Sequence, residues 1–161
     1  MKVIIITGSV GTGKTTLAKK LAKNLNYRYI DVNKLIEKEE ISSGYDRKRR
    51  CKIIDIRRLN NLLINLINNS KKNLIIDSHL SHYLPKKYVD LCVVTKCDLK
   101  VLEKRLRKRG YTKDKIRENL DCEIFDICLN EAKELRHRVI VIDTTKGINI
   151  SEISKVVKKW S

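Results

Sequence analysis

The sequence has few aromatic residues, one proline and a shortage of acidic residues, and each shortage narrows the structures that it could form. Aromatic residues make up only 5% of the 161 residues, so aliphatic side chains must fill the core. The single proline, Pro85, and the lack of a linker-like stretch favour one domain spanning residues 1–161. No apolar run is long enough to cross a membrane. With so few rings to stack on bases, we do not expect sequence-specific RNA recognition.

The cysteines are odd in number, and none of them pairs with another at C-x-x-C spacing. A zinc site or a disulfide framework is therefore not expected, and the pattern favours reduced thiols in a cytoplasmic protein. The five cysteines are Cys51, Cys92, Cys97, Cys122 and Cys128.

The chain is strongly basic, with 36 Lys and Arg residues against 19 Asp and Glu residues and a net charge of +17. A positive field of this size favours polyanionic partners, either nucleotides or nucleic acid. A lysine-rich, solvated surface would have the same composition, and charge alone does not separate the two interpretations.

Residues 8–16, Gly-Ser-Val-Gly-Thr-Gly-Lys-Thr-Thr, match the phosphate-binding pattern G-x-x-x-x-G-K-[ST] in full. Residues 3–7 are a β-branched run typical of a buried strand, and residues 17–22 have helical apolar spacing. The glycines would let successive N–H groups turn toward phosphates at the start of the helix. Lys14 could then reach the β- and γ-phosphates, and the Thr15 hydroxyl could hold Mg²⁺. The alternative is a glycine-rich turn without a ligand.

Apolar runs predict strands that alternate with helices, which is typical of an α/β fold. The predicted strands are residues 3–7, 27–31, 73–77, 88–95 and 138–143. A helix that restarts near Asp114 is expected to have Ile124 and Ile127 on its apolar side. The loop at residues 144–147 lies beyond the carboxyl end of the last strand, where such sheets bind ligands, and could contact an adenine base.

Between the second and third strands, the sequence predicts two helices joined by a basic loop. Asp31 can cap the first helix, over residues 32–40, and the second helix begins at about Asp55. Residues 42–46 break the first helix, and the basic run at residues 47–50 follows them. We interpret the insertion as a candidate substrate-binding subdomain with a cationic flap. An exposed charged loop is the alternative for the basic run.

Asp77 ends the third predicted strand, and an acid in that position holds the water shell of Mg²⁺ in proteins with this loop. A capping aspartate would look the same in the sequence. His79 follows two residues later, on the same side as Asp77 if the strand continues, and could position a water or a phosphate acceptor. A loop histidine without a role is the alternative for His79 and the favoured interpretation of His82.

A short basic segment at residues 108–118 is interpreted as a lid, which would bring cations to the phosphates when it closes. Most of its cations are expected to be solvated. Arg105 and Arg109 are the exceptions, because they lie one helical turn apart on the same face.

Together these motifs resemble the family of the sixth adenylate kinase isoenzyme, also called coilin-interacting nuclear ATPase protein, which has archaeal members. The resemblance runs nearly end to end. It is carried by residues 8–16, 44–46, 76–79, 105–106 and 109–111, and most specifically by residues 119–125, Asn-Leu-Asp-Cys-Glu-Ile-Phe.

The resemblance implies a P-loop NTPase fold of the nucleoside-monophosphate-kinase type, with a five-stranded parallel sheet flanked by helices. It also implies a nucleoside-monophosphate-binding insertion near residues 31–54 and a short lid near residues 108–118. The chain departs from the family in its basic residues 47–50. It also lacks, after Asp77, the Gly-x-Pro-Arg that larger adenylate kinases use to hold AMP, which favours weaker kinase activity and more prominent ATP hydrolysis.

The resemblance also implies roles for individual residues. Asp77 and His79 match the family's Asp-x-His motif, and Arg109 matches its lid arginine at the nucleotide. The implied contacts with ATP are Gly11, Gly13, Lys14, Thr15, Thr16 and Arg109. The implied contacts with Mg²⁺ are Thr15 and Asp77, and the implied catalytic residues are Lys14, Asp77, His79 and Arg109.

The expected function is that of an adenylate kinase, which transfers the γ-phosphoryl group of MgATP to AMP, with ATP hydrolysis as a second activity. Family members are implicated in maturation of the small ribosomal subunit. A small-subunit ribosomal protein and pre-ribosomal RNA are therefore expected partners of a monomer. One alternative is a nucleotide-switched assembly ATPase with little kinase activity. Another is a kinase of a different small hydroxyl substrate.

Overall fold

A five-stranded parallel sheet lies at the centre of the computed structural model, which describes residues 1–48 and 51–161. The strands are β1 (Val3–Gly8), β2 (Arg28–Asp31), β3 (Ser42–Asp46), β4 (Cys51–Ile54), β5 (Leu74–Asp77), β6 (Leu91–Lys96) and β7 (Val139–Asp143). The helices are α1 (Lys14–Leu25), α2 (Val32–Lys38), α3 (Ile56–Asn68), α4 (Leu99–Lys108), α5 (Lys113–Ile124), α6 (Ile127–Glu134) and α7 (Ile150–Trp160). The order β2-β5-β1-β6-β7 confirms the predicted α/β fold.

The central strand is β1, and its sequence explains that position. All six of its residues are buried, and it pairs in parallel with β5 on one side and β6 on the other. A strand covered on both faces has a continuous β-branched run rather than an alternating pattern. After β1, the chain adds β2 and β5 on one side of it, and it later adds β6 and β7 on the other side. The carboxyl end of β1 therefore opens onto the crevice where α/β sheets bind ligands.

Helices cover both faces of the sheet and form a separate apolar core on each. Leu17 of α1 and Val157 of α7 pack with Ile6 on one face, and Leu63 of α3 packs with Ile5 on the other. Burial of each such side chain contributes about 2 kcal/mol. No helix in the described ranges is both long enough and apolar enough to cross a bilayer.

The insertion between β2 and β5 contains a β-hairpin that the sequence did not predict. The helices α2 and α3 flank it as predicted, and the side chains of Asp31 and Asp55 accept hydrogen bonds from N–H groups of their first turns. Residues 42–46, predicted only to break a helix, form β3, which pairs antiparallel with β4. Because β3 is exposed and rich in Ser and Gly, no apolar alternation marks it in the sequence. Residues 49–50 of the predicted basic run lie outside the described residues.

The single helix predicted after the lid is in fact two helices, α5 and α6. Asp126 between them has a φ of 51°, which interrupts the helix. Lys96 of β6 pairs with the Asp126 carboxylate and donates a hydrogen bond of 3.0 Å to the carbonyl oxygen of Glu123. The apolar assignment of Ile124 and Ile127 is wrong, since they are 47% and 39% exposed. Periodicity did not reveal the break because Lys96, distant in sequence, stabilises this corner.

Gly8, at the end of β1, is a position where a side chain should be strongly unfavourable. Its φ is 141°, and a Cβ there would lie 2.5 Å from Thr95 Oγ1 and 2.6 Å from the Thr95 carbonyl oxygen. We predict that Gly8→Ala lowers the free energy of unfolding by roughly 3 kcal/mol. Gly110→Ala is the matched control, because Gly110 has a φ of 73° but open space around it. It should lose only about 1 kcal/mol in urea unfolding, and equal losses in both variants would contradict the steric explanation.

Candidate active site

The loop between β1 and α1 has the backbone shape that phosphate binding needs. Gly11 and Gly13 have φ values of 89° and 87°, which side chains disfavour. Gly13 is the N-cap of α1 and offers the first N–H groups of that helix no side-chain acceptor. Those donors are therefore available to an anion, and the positive end of the helix dipole adds to the attraction.

Three cavities that share lining residues lie around this loop. The central cavity, of about 250 Å³, is lined by the loop with Lys14 and by Asp77. It shares Gly13 and Arg109 with the outer cavity, of about 590 Å³, and shares His79 with the insertion cavity, of about 890 Å³. The insertion cavity lies between the insertion and α5. The outer and insertion cavities both have volumes in the range of about 300–1,000 Å³ that small-molecule sites occupy.

Lys14 is the first residue of α1, and its ammonium group folds back onto the loop. Nζ donates a hydrogen bond of 2.8 Å to the carbonyl oxygen of Ser9. Burial lowers the pKa of Lys14 to about 8, and the Asp77 carboxylate opposes this shift. A bound phosphate would favour the charged ammonium, so nucleotide binding should raise the pKa again.

Asp77 ends β5 next to the loop and is only 4% exposed. The Tyr29 hydroxyl donates a hydrogen bond of 3.0 Å to Asp77 Oδ2, and burial together with Asp77 raises the pKa of Tyr29. Thr15 and Asp77 both line the central cavity. Within the described ranges, no cluster of three or more His, Cys, Asp or Glu side chains is suited to a metal. A hydroxyl and a carboxylate nevertheless fit Mg²⁺, because this ion keeps several waters and takes other oxygens from phosphates.

The two histidines after β5 lie in different surroundings. His79 is partly exposed to solvent at the junction of the central and insertion cavities. Desolvation by the cleft walls, with a smaller effect of Lys14, lowers the pKa of His79, so its imidazole is neutral at pH 7. His82 is not a solvated loop residue, since it is 1% exposed. Its Nδ1 lies 2.8 Å from Thr7 Oγ1 and its Nε2 lies 2.8 Å from Glu131 Oε2, so it joins β1 to α6.

The two arginines singled out in the sequence have different contacts. Arg105 donates hydrogen bonds of 3.3 Å to the Gly11 carbonyl oxygen and of 2.9 Å to the Thr144 carbonyl oxygen. It therefore joins the phosphate-binding loop to the loop after β7. Arg109 caps the end of α4, is exposed, and lines both the central and the outer cavity. Of the two, Arg109 has the guanidinium that can meet a phosphate in the central cavity.

The insertion cavity carries charges of both signs. Lys52 of β4 and Lys115 of α5 line it from opposite walls, together with the carboxylates of Glu37, Glu118 and Asp121. In the described part of the chain, its lining contains no arginine. Among the described residues, these two lysines are the cations that could meet a phosphate group in this cavity. The carboxylates are suited to accept hydrogen bonds from amino or hydroxyl groups.

Glu123 is a buried polar residue next to the loop that the sequence did not single out. It is 5% exposed, its Oε2 accepts a hydrogen bond of 2.8 Å from Ser9 Oγ, and its Oε1 accepts one of 2.9 Å from the Cys97 N–H group. Glu123 belongs to the motif at residues 119–125 on which the family resemblance rests, but that motif did not indicate what Glu123 does. Tyr29, the partner of the strand-end carboxylate, carried no sequence signal at all.

The fold and the site together define a P-loop protein with the architecture of small-molecule kinases. The solved shikimate kinase from Acinetobacter baumannii in complex with shikimate matches it with a TM-score of 0.66. The alignment is 15% identical and covers 99% of this chain and 92% of the other. The sequence profile of a family described as an AAA domain matches residues 4–126.

Relatives in sequence define the family more narrowly. The "Adenylate kinase isoenzyme 6 homolog" of Dictyostelium discoideum is 35% identical over 98% of this chain and 92% of the relative. The "Adenylate kinase isoenzyme 6 homolog FAP7" of Saccharomyces cerevisiae is 34% identical over 98% of this chain and 82% of the relative. The chain belongs to the adenylate kinase isoenzyme 6 family, which confirms the resemblance drawn from its motifs. Membership supports a kinase-like P-loop function with nucleotide binding.

The lowered pKa of Lys14 predicts that nucleotide binding depends on pH. Without nucleotide, Lys14 loses its proton as the pH rises through about 8, and the neutral amine attracts phosphate less. The affinity for ATP should therefore be highest below that pH and fall above it, by up to about tenfold per pH unit. Isothermal titration calorimetry measures the effect. Lys14→Met should bind more weakly and without this dependence, and a wild-type affinity that is constant with pH would contradict the prediction.

Proposed function

We propose that the protein is an adenylate kinase that transfers the γ-phosphoryl group of MgATP to AMP. The observation that carries the proposal is that the cavity at the phosphate-binding loop shares lining residues with two larger cavities, which themselves share none among the described residues. A nucleotide kinase needs two nucleoside sites on opposite sides of one phosphate site, because donor and acceptor must meet in line. The relatives named adenylate kinase isoenzyme 6 homologs support adenine nucleotides as substrates.

In this proposal, ATP binds with its phosphates on the loop and its nucleoside in the outer cavity. The outer cavity includes Thr144, Gly147 and Ile148, which supports the adenine contact expected near residues 144–147. Loop N–H groups would bind the phosphates, and the Lys14 ammonium would move to them from the Ser9 carbonyl. The proposed contacts of ATP are Gly11, Gly13, Lys14, Thr15, Thr16 and Arg109.

Thr15 and Asp77 would hold Mg²⁺ at the wall of the central cavity. The hydrogen bond from Tyr29 restrains the Asp77 carboxylate in one orientation, which favours a fixed ion position. When bound, the ion would neutralise charge on the β- and γ-phosphates.

Three side chains would act on the transferring group. Lys14 and Arg109 would bind its oxygens and offset the negative charge that repels the acceptor. The neutral imidazole of His79, at the junction with the insertion cavity, would donate an N–H hydrogen bond to the attacking phosphate oxygen of AMP and orient it. When no AMP occupies the insertion cavity, the same imidazole could orient a water. We therefore propose ATP hydrolysis as a second activity.

The proposed domain plan follows from the walls of the cavities. Residues 31–54 would form the acceptor-binding insertion, since α2 and β4 line the insertion cavity. Residues 108–118 would form a short lid, since Arg109 and Tyr111 reach the central cavity. Closure of the lid would exclude water from the phosphates.

A coupled assay for ADP tests the proposed reaction. With ATP, AMP and Mg²⁺, the wild type should form ADP faster than it does from ATP alone. His79→Gln should lower both rates by on the order of 10²-fold, because it removes the imidazole that orients the attacking oxygen, while ATP affinity stays within about threefold. Lys14→Met should lose on the order of 10²- to 10³-fold, because it removes a fixed charge at the phosphates.

Lys87→Met is the matched control for this assay. Lys87 is exposed, contacts the ring of Tyr88 and lines none of the three cavities, so its loss should leave both rates unchanged. Equal ADP formation with and without AMP would refute the kinase reaction in favour of an ATPase. Phosphorylation of a sugar or hydroxy acid in place of AMP would favour a kinase of another small hydroxyl substrate.

The positive charge supports a second proposed function, in maturation of the small ribosomal subunit. A net charge of +17 would attract pre-ribosomal RNA in a salt-sensitive manner. The β3–β4 hairpin exposes Tyr45 by 57% and Ile53 by 51%, with Lys52 beside them, which suits contact with a partner. We propose that a cytoplasmic monomer contacts a small-subunit ribosomal protein and that ATP changes the surface it presents.

Sedimentation of lysate at low salt with ATP, ADP or no nucleotide tests this second function. The protein should migrate with small-subunit particles in a nucleotide-dependent manner and dissociate when salt is added, because salt weakens the release of counterions that drives the contact. If it stays at the top of the gradient under every condition and no ribosomal protein co-purifies, the assembly role is wrong.

A further inference from the structure

The Glu123 carboxylate lies in a buried polar cluster beneath the phosphate-binding loop. Its side chain is 4% exposed, and its two oxygens have different partners. Oε2 accepts a hydrogen bond of 2.8 Å from Ser9 Oγ, whereas Oε1 accepts one of 2.9 Å from the Cys97 N–H group and lies 3.3 Å from Lys96 Nζ. Burial of a carboxylate costs free energy unless hydrogen-bond donors and cations replace the water that it loses. These contacts therefore hold Glu123 in one position.

Ser9 in turn organises the loop. It is 5% exposed. Its carbonyl oxygen accepts hydrogen bonds of 2.8 Å from Lys14 Nζ, 2.7 Å from Thr12 Oγ1 and 3.3 Å from the Thr12 N–H group. One residue thus contacts Glu123 through its side chain and Lys14 through its backbone. The orientation of Ser9 determines where the Lys14 ammonium lies before a phosphate arrives.

The helix that carries this carboxylate, α5, also borders the proposed lid and the acceptor site. It begins at Lys113, directly after the segment in which Arg109 and Tyr111 line the central cavity. One of its residues, Asn119, lines the insertion cavity. A contact between α5 and Ser9 therefore connects the phosphate-binding loop to the element between the lid and the acceptor.

We infer that Glu123 is a positioning residue, which acts through Ser9 to hold the phosphate-binding loop and Lys14 in the arrangement needed for phosphoryl transfer. This role rests on the proposed function. Glu123 lines none of the three cavities, so it does not touch the substrates. Loss of this contact would displace Lys14, and a displacement of about 1 Å in a reacting group lowers the catalytic rate by on the order of 10²-fold.

Ser9→Ala and Glu123→Gln test the role from both sides of the contact. Ser9→Ala removes only the hydroxyl, and Glu123→Gln keeps the shape but removes the charge. Each should lower kcat by roughly 10- to 100-fold while ADP affinity changes less than about threefold, because the loop N–H groups remain. In the double variant, kcat should fall no further than in the more affected single variant, since both changes weaken the contact between Ser9 and Glu123.

Asp126→Asn is the matched control. It removes the other carboxylate that pairs with Lys96 and leaves the contact between Ser9 and Glu123 in place. Asn tolerates the positive φ at this position. Its kcat should equal that of the wild type.

Hydrogen exchange without nucleotide gives a readout that does not depend on turnover. In Ser9→Ala and Glu123→Gln, amides of residues 8–16 should exchange about tenfold faster, because the loop opens locally, while those of α7 remain unchanged. Asp126→Asn should show wild-type exchange in both regions.

The outcomes separate this role from the proposed function. Wild-type kcat and wild-type exchange in both loop variants would overturn it. A lower Tm with faster exchange over the whole chain and unchanged kcat would also overturn it, because Glu123 would then be only structural. A wild type that neither transfers phosphate nor hydrolyses ATP would refute the proposed function. Exchange at residues 8–16 would then still decide whether Glu123 holds the loop.

Discussion

The close fit of the β1–α1 loop against its neighbours is the constraint on which the rest of the site depends. A Cβ at Gly8 would collide with Thr95 of β6, and one at Gly11 would lie 2.9 Å from Leu102 Cδ1 of α4. The loop is therefore pressed onto β6 and α4, and Arg105 of α4 adds hydrogen bonds to the loop after β7. This packing directs the start of α1, with its unpaired N–H donors, into the central cavity.

Electrostatics prepares that cavity for an anion. Lys14 is desolvated enough to lower its pKa to about 8, and Asp77 partly compensates. A polyphosphate with a divalent cation would satisfy both groups better than the free protein does, because opposite charges attract strongly where water is scarce. The neutral imidazole of His79 next to them adds a polar group without adding charge. The cavity thus combines the charged groups of Lys14, Asp77 and Arg109 with the polar imidazole of His79.

The two larger cavities differ in the charged side chains that line them. The outer cavity is lined by cations, among them Lys20, Lys108 and Arg109, whereas the insertion cavity also carries three carboxylates. The cations of the outer cavity attract negative charge, whereas the carboxylates of the insertion cavity can accept hydrogen bonds from amino or hydroxyl groups. Among the described residues, the two strands of the hairpin pair with each other and with no strand of the central sheet, and β4 lines the insertion cavity.

The sequence by itself determined the elements whose cause is local. Apolar runs indicated four strands of the sheet, and the short segment at residues 27–31 indicated the fifth. Asp31 and Asp55 indicated helix starts, and residues 8–16 indicated the phosphate loop, because each signal lies within a few neighbouring residues. The β3–β4 hairpin was not predicted, because its exposed first strand lacks apolar alternation. The break at Asp126 depends on tertiary structure, since Lys96, distant in sequence, stabilises it. Tertiary structure also decided the contacts of the site. The pairs Tyr29–Asp77 and Ser9–Glu123 join residues 48 and 114 positions apart, and only the folded chain brings such side chains within hydrogen-bonding distance.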